Sequence, residues 1–165
     1  MENTTNELAV TMTEEVMTVS PDGKSMIVRD AEGKFKRKAI FKQWMSFTPE
    51  TREQKLHVFN LLNSDEMAHP MKDKVGTQIK IADVIFNPYD RVDEETGEMQ
   101  NGILTYLIQS DGEAFVTSSK SVYYSLENAF KAFGTPHYGE GEELTVEVVL
   151  KKGLQFKYVD VKIIG

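Results

Sequence analysis

The chain has 165 residues, 40% of them hydrophobic and 27% charged, with no cysteine. That length suits one compact domain with additions, and the absence of thiols excludes disulfides, cysteine nucleophiles and cysteine-type zinc sites. A net charge of −7 argues against a uniformly basic surface, yet the charge is uneven: nine cations against four acids lie between Lys24 and Lys55, a local +5 that leaves −12 elsewhere.

No run approaches the ~20 apolar residues of a membrane span, and the amino terminus lacks a basic-then-apolar leader. The expectation is a cytoplasmic protein of a bacterial host, without membrane contact. Polar residues 1–13 predict a flexible terminus. Residues 14–73 read as an extension. Its first part, to Trp44, carries short β-prone runs, Val16 to Val19 and Met26 to Arg29. Ser20-Pro21-Asp22-Gly23 and Ala31-Glu32-Gly33 separate them as turn signals, which predicts a hairpin-like segment. Thr48-Pro49-Glu50 then predicts a helix start, and Val58, Leu56, Phe59 and Leu62 an apolar face, giving a helix over about 49–63. The stretch 63–73, with Pro70 and several polar residues, reads as a linker.

Residues 74–165 predict a barrel. Gln78 to Phe86 alternates as one long strand, and Asn87 to Gly102 is a polar connection rich in turn residues. Ile103 to Gln109 and Ala114 to Thr117 are strands joined by Ser110-Asp111-Gly112. A helix over about Ser121 to Phe133 places Val122, Leu126, Ala129, Phe130 and Phe133 at helical spacing, stopped by Gly134 and Pro136. Leu144 to Leu150 alternates with period two, and Lys151-Lys152-Gly153 turns into a last strand. There Val159, Val161 and Ile163 share one face, and Phe156, Tyr158, Asp160 and Lys162 the other, which is expected to point outward. Strand-strand-strand-helix-strand-strand is the element order of the OB fold. The predicted class is therefore mainly β: a five-stranded OB-type barrel with a helix between strands 3 and 4, plus an N-terminal β/helix extension.

Catalytic patterns are missing. His57, His69 and His137 have no metal-ligand spacing, and Gly97 and Gly139-Glu140-Gly141 belong to no phosphate-cradling motif. Asp93-Glu94-Glu95 misses the EF-hand pattern. Ser118, Ser119, Ser121 and Ser125 lack a nucleophile elbow. No enzyme activity, metal or cofactor is expected.

Single-strand binding needs cations to follow phosphates and aromatic faces to stack bases. Lys34-Phe35-Lys36-Arg37-Lys38 and Phe41-Lys42-Gln43-Trp44 interleave the two, and arginine adds cation–π contacts. Phe35, Phe41, Trp44 and Phe47 could equally anchor the extension to the barrel. Tyr89 and Arg91, in the first connection, are a second candidate surface, with Phe86 open to either a core or a ligand role. Phe156 and Tyr158 on the last strand are a third. Thr117-Ser118-Ser119-Lys120-Ser121 leads into a helix N-terminus, where Lys120 and unpaired N–H groups attract anions, although a serine cap is the ordinary reading. Tyr123 and Tyr124 point in different directions, so one packs and the other is open to a ligand.

Several of these segments also carry a resemblance: Gly76-Thr77-Gln78-Ile79, Val84-Ile85-Phe86-Asn87-Pro88, Glu94-Glu95-Thr96-Gly97-Glu98, and above all Thr117-Ser118-Ser119-Lys120-Ser121-Val122-Tyr123 with Phe133-Gly134-Thr135-Pro136. Over residues 44–164 the chain resembles phage- and plasmid-encoded single-stranded DNA-binding proteins of Gram-positive bacteria. The resemblance implies an OB fold, protection of DNA in replication or conjugation, and little sequence preference. Housekeeping bacterial counterparts end in an acidic, aromatic-tipped tail. This sequence ends on Val161-Lys162-Ile163-Ile164-Gly165, which argues against recruitment by such a tail.

The expected partner is single-stranded DNA, with RNA open because no spacing reports on the 2′-OH. Exposed strand edges leave a homo-oligomer or a cooperative filament open. Two other classes remain: an OB-fold protein-interaction module, whose binding would resist salt, and a nuclease-like barrel enzyme, which would need acids clustered around a metal.

Overall fold

The computed structural model describes residues 14–165, so the flexible stretch expected at 1–13 lies outside the described residues. The chain divides into two compact units, Met1–Phe41 and Lys42–Gly165.

In the first unit β1 (Glu15–Val19), β2 (Ser25–Arg29) and β3 (Phe35–Ala39) form an antiparallel meander in that order. Local chemistry dictates its turns. Asp22 Oδ1 accepts from the Ser20 hydroxyl at 2.6 Å and the Lys24 N–H at 3.0 Å, bonds that hold its carboxyl below the usual range. Asp30 Oδ1 accepts from the N–H groups of Lys34 at 2.9 Å and Glu32 at 3.0 Å. Gly23 and Gly33 supply the positive φ values, 70° and 82°, that the two turns require. A bulge between Val16 and Thr18 breaks the β1–β2 register.

The second unit contains β4 (Trp44–Met45), α1 (Arg52–Asn63), β5 (His69–Pro70), a 3-10 turn (Met71–Lys74), β6 (Gln78–Ile81), β7 (Asp83–Val92), β8 (Met99–Ile108), β9 (Ala114–Thr117), α2 (Lys120–Phe133), β10 (Leu144–Lys152) and β11 (Lys157–Ile163). Its strands make two sheets, β11-β10-β6 and β4-β7-β8-β9-β5. The mainly β class is present. The strand-strand-strand-helix-strand-strand order is met only with β6 and β7 counted as the one strand the sequence predicts, since from β6 onward four strands precede α2. The sheets are joined through the chain from β6 to β7, but among the described residues no strand pairing closes them into a barrel.

Helix α1 begins at Arg52, later than Thr48-Pro49 suggested, because Thr51 builds a reciprocal cap. Its hydroxyl accepts from Gln54 N at 3.1 Å, and the Gln54 side chain accepts from Thr51 N at 3.2 Å. Thr51→Ala is expected to cost about 1 kcal/mol, read as a melting-temperature drop of about 2–4 °C. The stretch 63–73, read as a linker, contributes to the core: Ala68 and Met71 are buried, and β5 pairs in parallel with β9.

The predicted long strand breaks at Ala82, whose carbonyl accepts from both His137 N and Tyr138 N. Asp83, next in line, accepts from the Ser46 hydroxyl at 2.8 Å and lies 2.9 Å from His137 Nδ1. His137 itself has a φ of 97°.

Past this break β7 serves both faces of its sheet. Ile85 packs with Val58 and Leu61 of α1, Ala68, Tyr106 and Ala114, flanked by Met45 and Phe47. Its neighbour Phe86 turns the other way, to Tyr123 and Phe130 of α2.

The polar connection Asn87 to Gly102 is mostly strand. β7 and β8 continue through it as an antiparallel ribbon out to Val92 and Met99, and only 93–98 turns. Asp93 organises that turn by accepting from Glu95 N at 2.9 Å and Thr96 N at 3.2 Å. A ribbon exposed on both faces has no buried side to mark in the sequence, so its residues read as loop.

On β11 the outward assignment fails at Asp160, which is 4% exposed. Ser125 of α2, Lys151 of β10 and the Val161 N–H all donate to it. A carboxylate satisfied by three donors can be buried.

Candidate nucleic-acid interface

In the first unit, alternation splits the basic strand between two faces. Cross-strand partners share a face, so Lys36 and Lys38 lie with Val28 and Met26, and Phe35 and Arg37 with Arg29 and Ile27. Phe35 is 67% exposed. Lys36 Nζ lies 3.7 Å from Asp30, Lys38 pairs with Glu14, and the Arg37 guanidinium reaches the Ser25 hydroxyl at 3.3 Å. The lysine ends of the two ion pairs are partly exposed, 52% for Lys36 and 30% for Lys38, so solvent screens the pairs. Phe41, after β3, is half-buried.

In the second unit Lys42 is exposed and Trp44 half-buried. The Trp44 ring stacks on Phe86 at 5.3 Å and lies 6.1 Å from Phe130. Tyr123 meets the same Phe86 edge-on at 4.7 Å. Burial, with the Glu127 carboxylate beside it, pushes the Tyr123 phenol far above the ordinary tyrosine value. Phe86 is thus a core residue, and of the adjacent tyrosines Tyr123 packs while Tyr124 is 48% exposed.

Two hairpin ends present aromatic groups beside cations. Tyr89 and Arg91 share one face of the β7–β8 ribbon, opposite Gly102 and Gln100. At the β10–β11 end Phe156 is 71% exposed and Leu154 fully so, with Lys152 and Lys157 paired beneath them and Tyr158 half-buried. Leu154, Lys152 and Lys157 are absent from the sequence-derived set, and of the tyrosine pair the sequence left open which one is exposed. The Lys151-Lys152-Gly153 turn was the signal available for the hairpin residues, whereas nothing local distinguishes Tyr124 from Tyr123.

At α2 Ser119 occupies the cap position, but its hydroxyl donates instead to Val159 O at 2.6 Å. The ordinary serine cap is therefore not made, and exposed Lys120 opens the helix. A cleft of about 1000 Å³ beside α1 is lined by Phe47, Glu50, Glu53, Leu56, His57 and His137, among others. Among the described residues no group of three or more His, Cys, Asp or Glu side chains could hold a metal, and no helix is long and apolar enough to cross a membrane.

Exposed aromatics next to cations suit a binder of single strands. The family model described as phage single-stranded DNA-binding protein matches residues 36–161. The chain belongs to that family. The single-stranded DNA-binding protein of Bacillus phage GA-1 is 40% identical over 164 residues, covering 97% of this chain and 96% of the relative. No solved structure matches. As a member of the phage single-stranded DNA-binding protein family the chain has a binding role, not an enzymatic one, in agreement with the resemblance read from the sequence. The family match begins at Lys36, so it takes in all of β3 but Phe35, as well as both hairpin ends.

Proposed function

We propose that this protein coats single-stranded DNA with little sequence preference during phage replication. Cations follow the phosphates and exposed aromatic rings stack bases, on an open OB-type framework. Family membership gives the ligand. The observation that carries the mode of binding is the placement of Tyr89 with Arg91, and of Phe156 with Lys152 and Lys157, at the two hairpin ends, since loops between paired strands are where OB-type proteins hold oligonucleotides. In the first unit, Arg37 with exposed Phe35 on the same face offers the same chemistry. Lys42 and Lys120 add positive charge in the second.

Fluorescence anisotropy with labelled oligo-dT, against matched RNA and duplex, at low and moderate salt, tests this. Single strands are expected to bind more tightly than duplex, and binding to weaken as salt rises because counterions are released. Arg37→Gln and Lys42→Gln should weaken all sequences alike and each flatten the logarithmic salt slope by about 0.7, the value for one phosphate on a single strand. Tyr89→Ala should lower affinity by about 1–3 kcal/mol with the slope unchanged. Identical slopes for all these variants would remove the cations from the interface. Absence of binding at low salt would move the exposed aromatics to a protein partner.

A further inference from the structure

Gly102 lies inside β8, where a glycine weakens a strand and needs a reason. Backbone conformation is not that reason: Gly97 and Gly112 have φ values of 70° and 89° at turns, whereas Gly102 is not among the positive-φ glycines. The reason is its cross-strand partner, Tyr89. A β-carbon on Gly102 would lie 2.3 Å from Tyr89 Cζ, 2.5 Å from its hydroxyl oxygen and 2.6 Å from Cε1. Any side chain at this position displaces the end of the ring. The glycine is buried, between half-buried Asn101 and fully buried Ile103, with the Tyr89 ring lying over it. Tyr89 keeps 37% of its own surface open. Arg91 is the next residue on the same face.

We propose that Gly102 is a positioning residue for DNA binding. By lacking a β-carbon it seats the Tyr89 ring on the ribbon in one orientation, so that a base stacks on a side chain already fixed, with Arg91 beside it for a phosphate. A ring held in place before binding loses less rotamer freedom on binding, which is how a glycine that touches no DNA raises affinity. The proposal rests on the reading of Tyr89 as a stacking residue. A ring covering a strand glycine also shields backbone, so a purely structural role has to be separated from this one.

The test is a double-mutant cycle on the full chain, with oligo-dT affinity, its salt slope and thermal unfolding measured for wild type, Gly102→Ala, Tyr89→Ala, the double variant and Tyr89→Phe. Only the far end of an exposed side chain must move, so Gly102→Ala is expected to fold with a nearly unchanged melting temperature. It should weaken binding about fivefold to tenfold with the slope unchanged, and weaken it no further once Tyr89 is alanine. Tyr89→Phe keeps the ring on its seat and should bind close to wild type, a result that stays decisive even if Gly102→Ala folds poorly.

Equal losses from Gly102→Ala in both backgrounds, or full affinity for Gly102→Ala beside a weakened Tyr89→Ala, overturn the proposal and leave Tyr89 in the interface. Full affinity for Tyr89→Ala overturns both the proposal and the role of Tyr89. Loss of binding in Tyr89→Phe equal to that in Tyr89→Ala assigns the effect to the hydroxyl and overturns the seat.

Discussion

Replacing Phe86 with alanine is expected to destabilise the protein by about 3–5 kcal/mol, the range for deleting a buried aromatic side chain. Phe86 is 3% exposed and stands where three elements meet. Trp44 of β4 stacks on it at 5.3 Å, Tyr123 of α2 meets it at 4.7 Å and Phe130 lies 6.2 Å away. The variant loses the transfer energy of the ring, the aromatic contacts and the packing of the cavity left behind. Trp44 is the only tryptophan, so its emission reports on this contact directly. Urea unfolding followed at that emission should show the midpoint fall, with a red shift in the folded variant as the indole gains water. A loss below about 1 kcal/mol, the ordinary size of a surface or tolerated change, would remove Phe86 from the core. The same variant should weaken oligo-dT binding only in proportion to unfolding, because Phe86 supports the interface without facing it.

Asp160→Ala is expected to cost about 1–3 kcal/mol, because it leaves the Ser125 hydroxyl and the Val161 N–H without their acceptor, while Lys151, half-exposed, turns to water. Burial alone would raise this carboxyl, but the bonds from Lys151 at 2.7 Å, Val161 N at 2.8 Å and Ser125 at 2.8 Å outweigh it, and its pKa lies below the ordinary aspartate value. A carboxyl lowered in the folded state contributes stability that is fully present above the unfolded value, about 3.9. That contribution is lost as pH falls through the lower folded value. Wild-type stability should therefore decline below about pH 4. Asp160→Asn keeps one acceptor oxygen, which serves Ser125 and the Val161 N–H but not Lys151, and should lose less than the alanine variant at neutral pH, while its acid limb becomes flatter. Denaturant unfolding from pH 7 down to pH 3 measures both variants. An acid limb as steep in Asp160→Asn as in wild type would mean that another carboxylate carries it.

Local chemistry made much of the framework legible. The Asp22-Gly23 and Asp30 to Gly33 turns, the Ser110-Asp111-Gly112 hairpin and the stop of α2 at Gly134 are each written within a few neighbouring residues. So is the two-residue alternation of β10, with Leu144, Val146 and Val148 buried. The order of strands and helix in the second unit follows from those punctuation marks. Errors came where a local signal had a competitor. Thr48-Pro49 lost the start of α1 to the reciprocal Thr51–Gln54 cap. The apparent linker at 63–73 hid two buried side chains, Ala68 and Met71, among polar neighbours.

The sequence by itself determined the turns, the Val122, Leu126 and Ala129 face of α2, the lack of thiol chemistry and, through its motifs, the phage single-stranded DNA-binding family. It misplaced the face of α1, where Leu56 and Phe59 are exposed and Val58 and Leu61 are buried. Only the tertiary structure decided which aromatic rings face water. Phe86 and Phe156, or Tyr123 and Tyr124, have the same chemistry and comparable local patterns, yet Phe86 and Tyr123 pack together while Phe156 and Tyr124 are exposed. It also decided that Asp160 is buried and that Tyr89 rests on Gly102. Periodicity reports the direction of a side chain relative to its own element. Exposure depends on what a distant part of the chain lays over it, and a carboxylate or a glycine reveals its role only once the donor or the ring that meets it is in place.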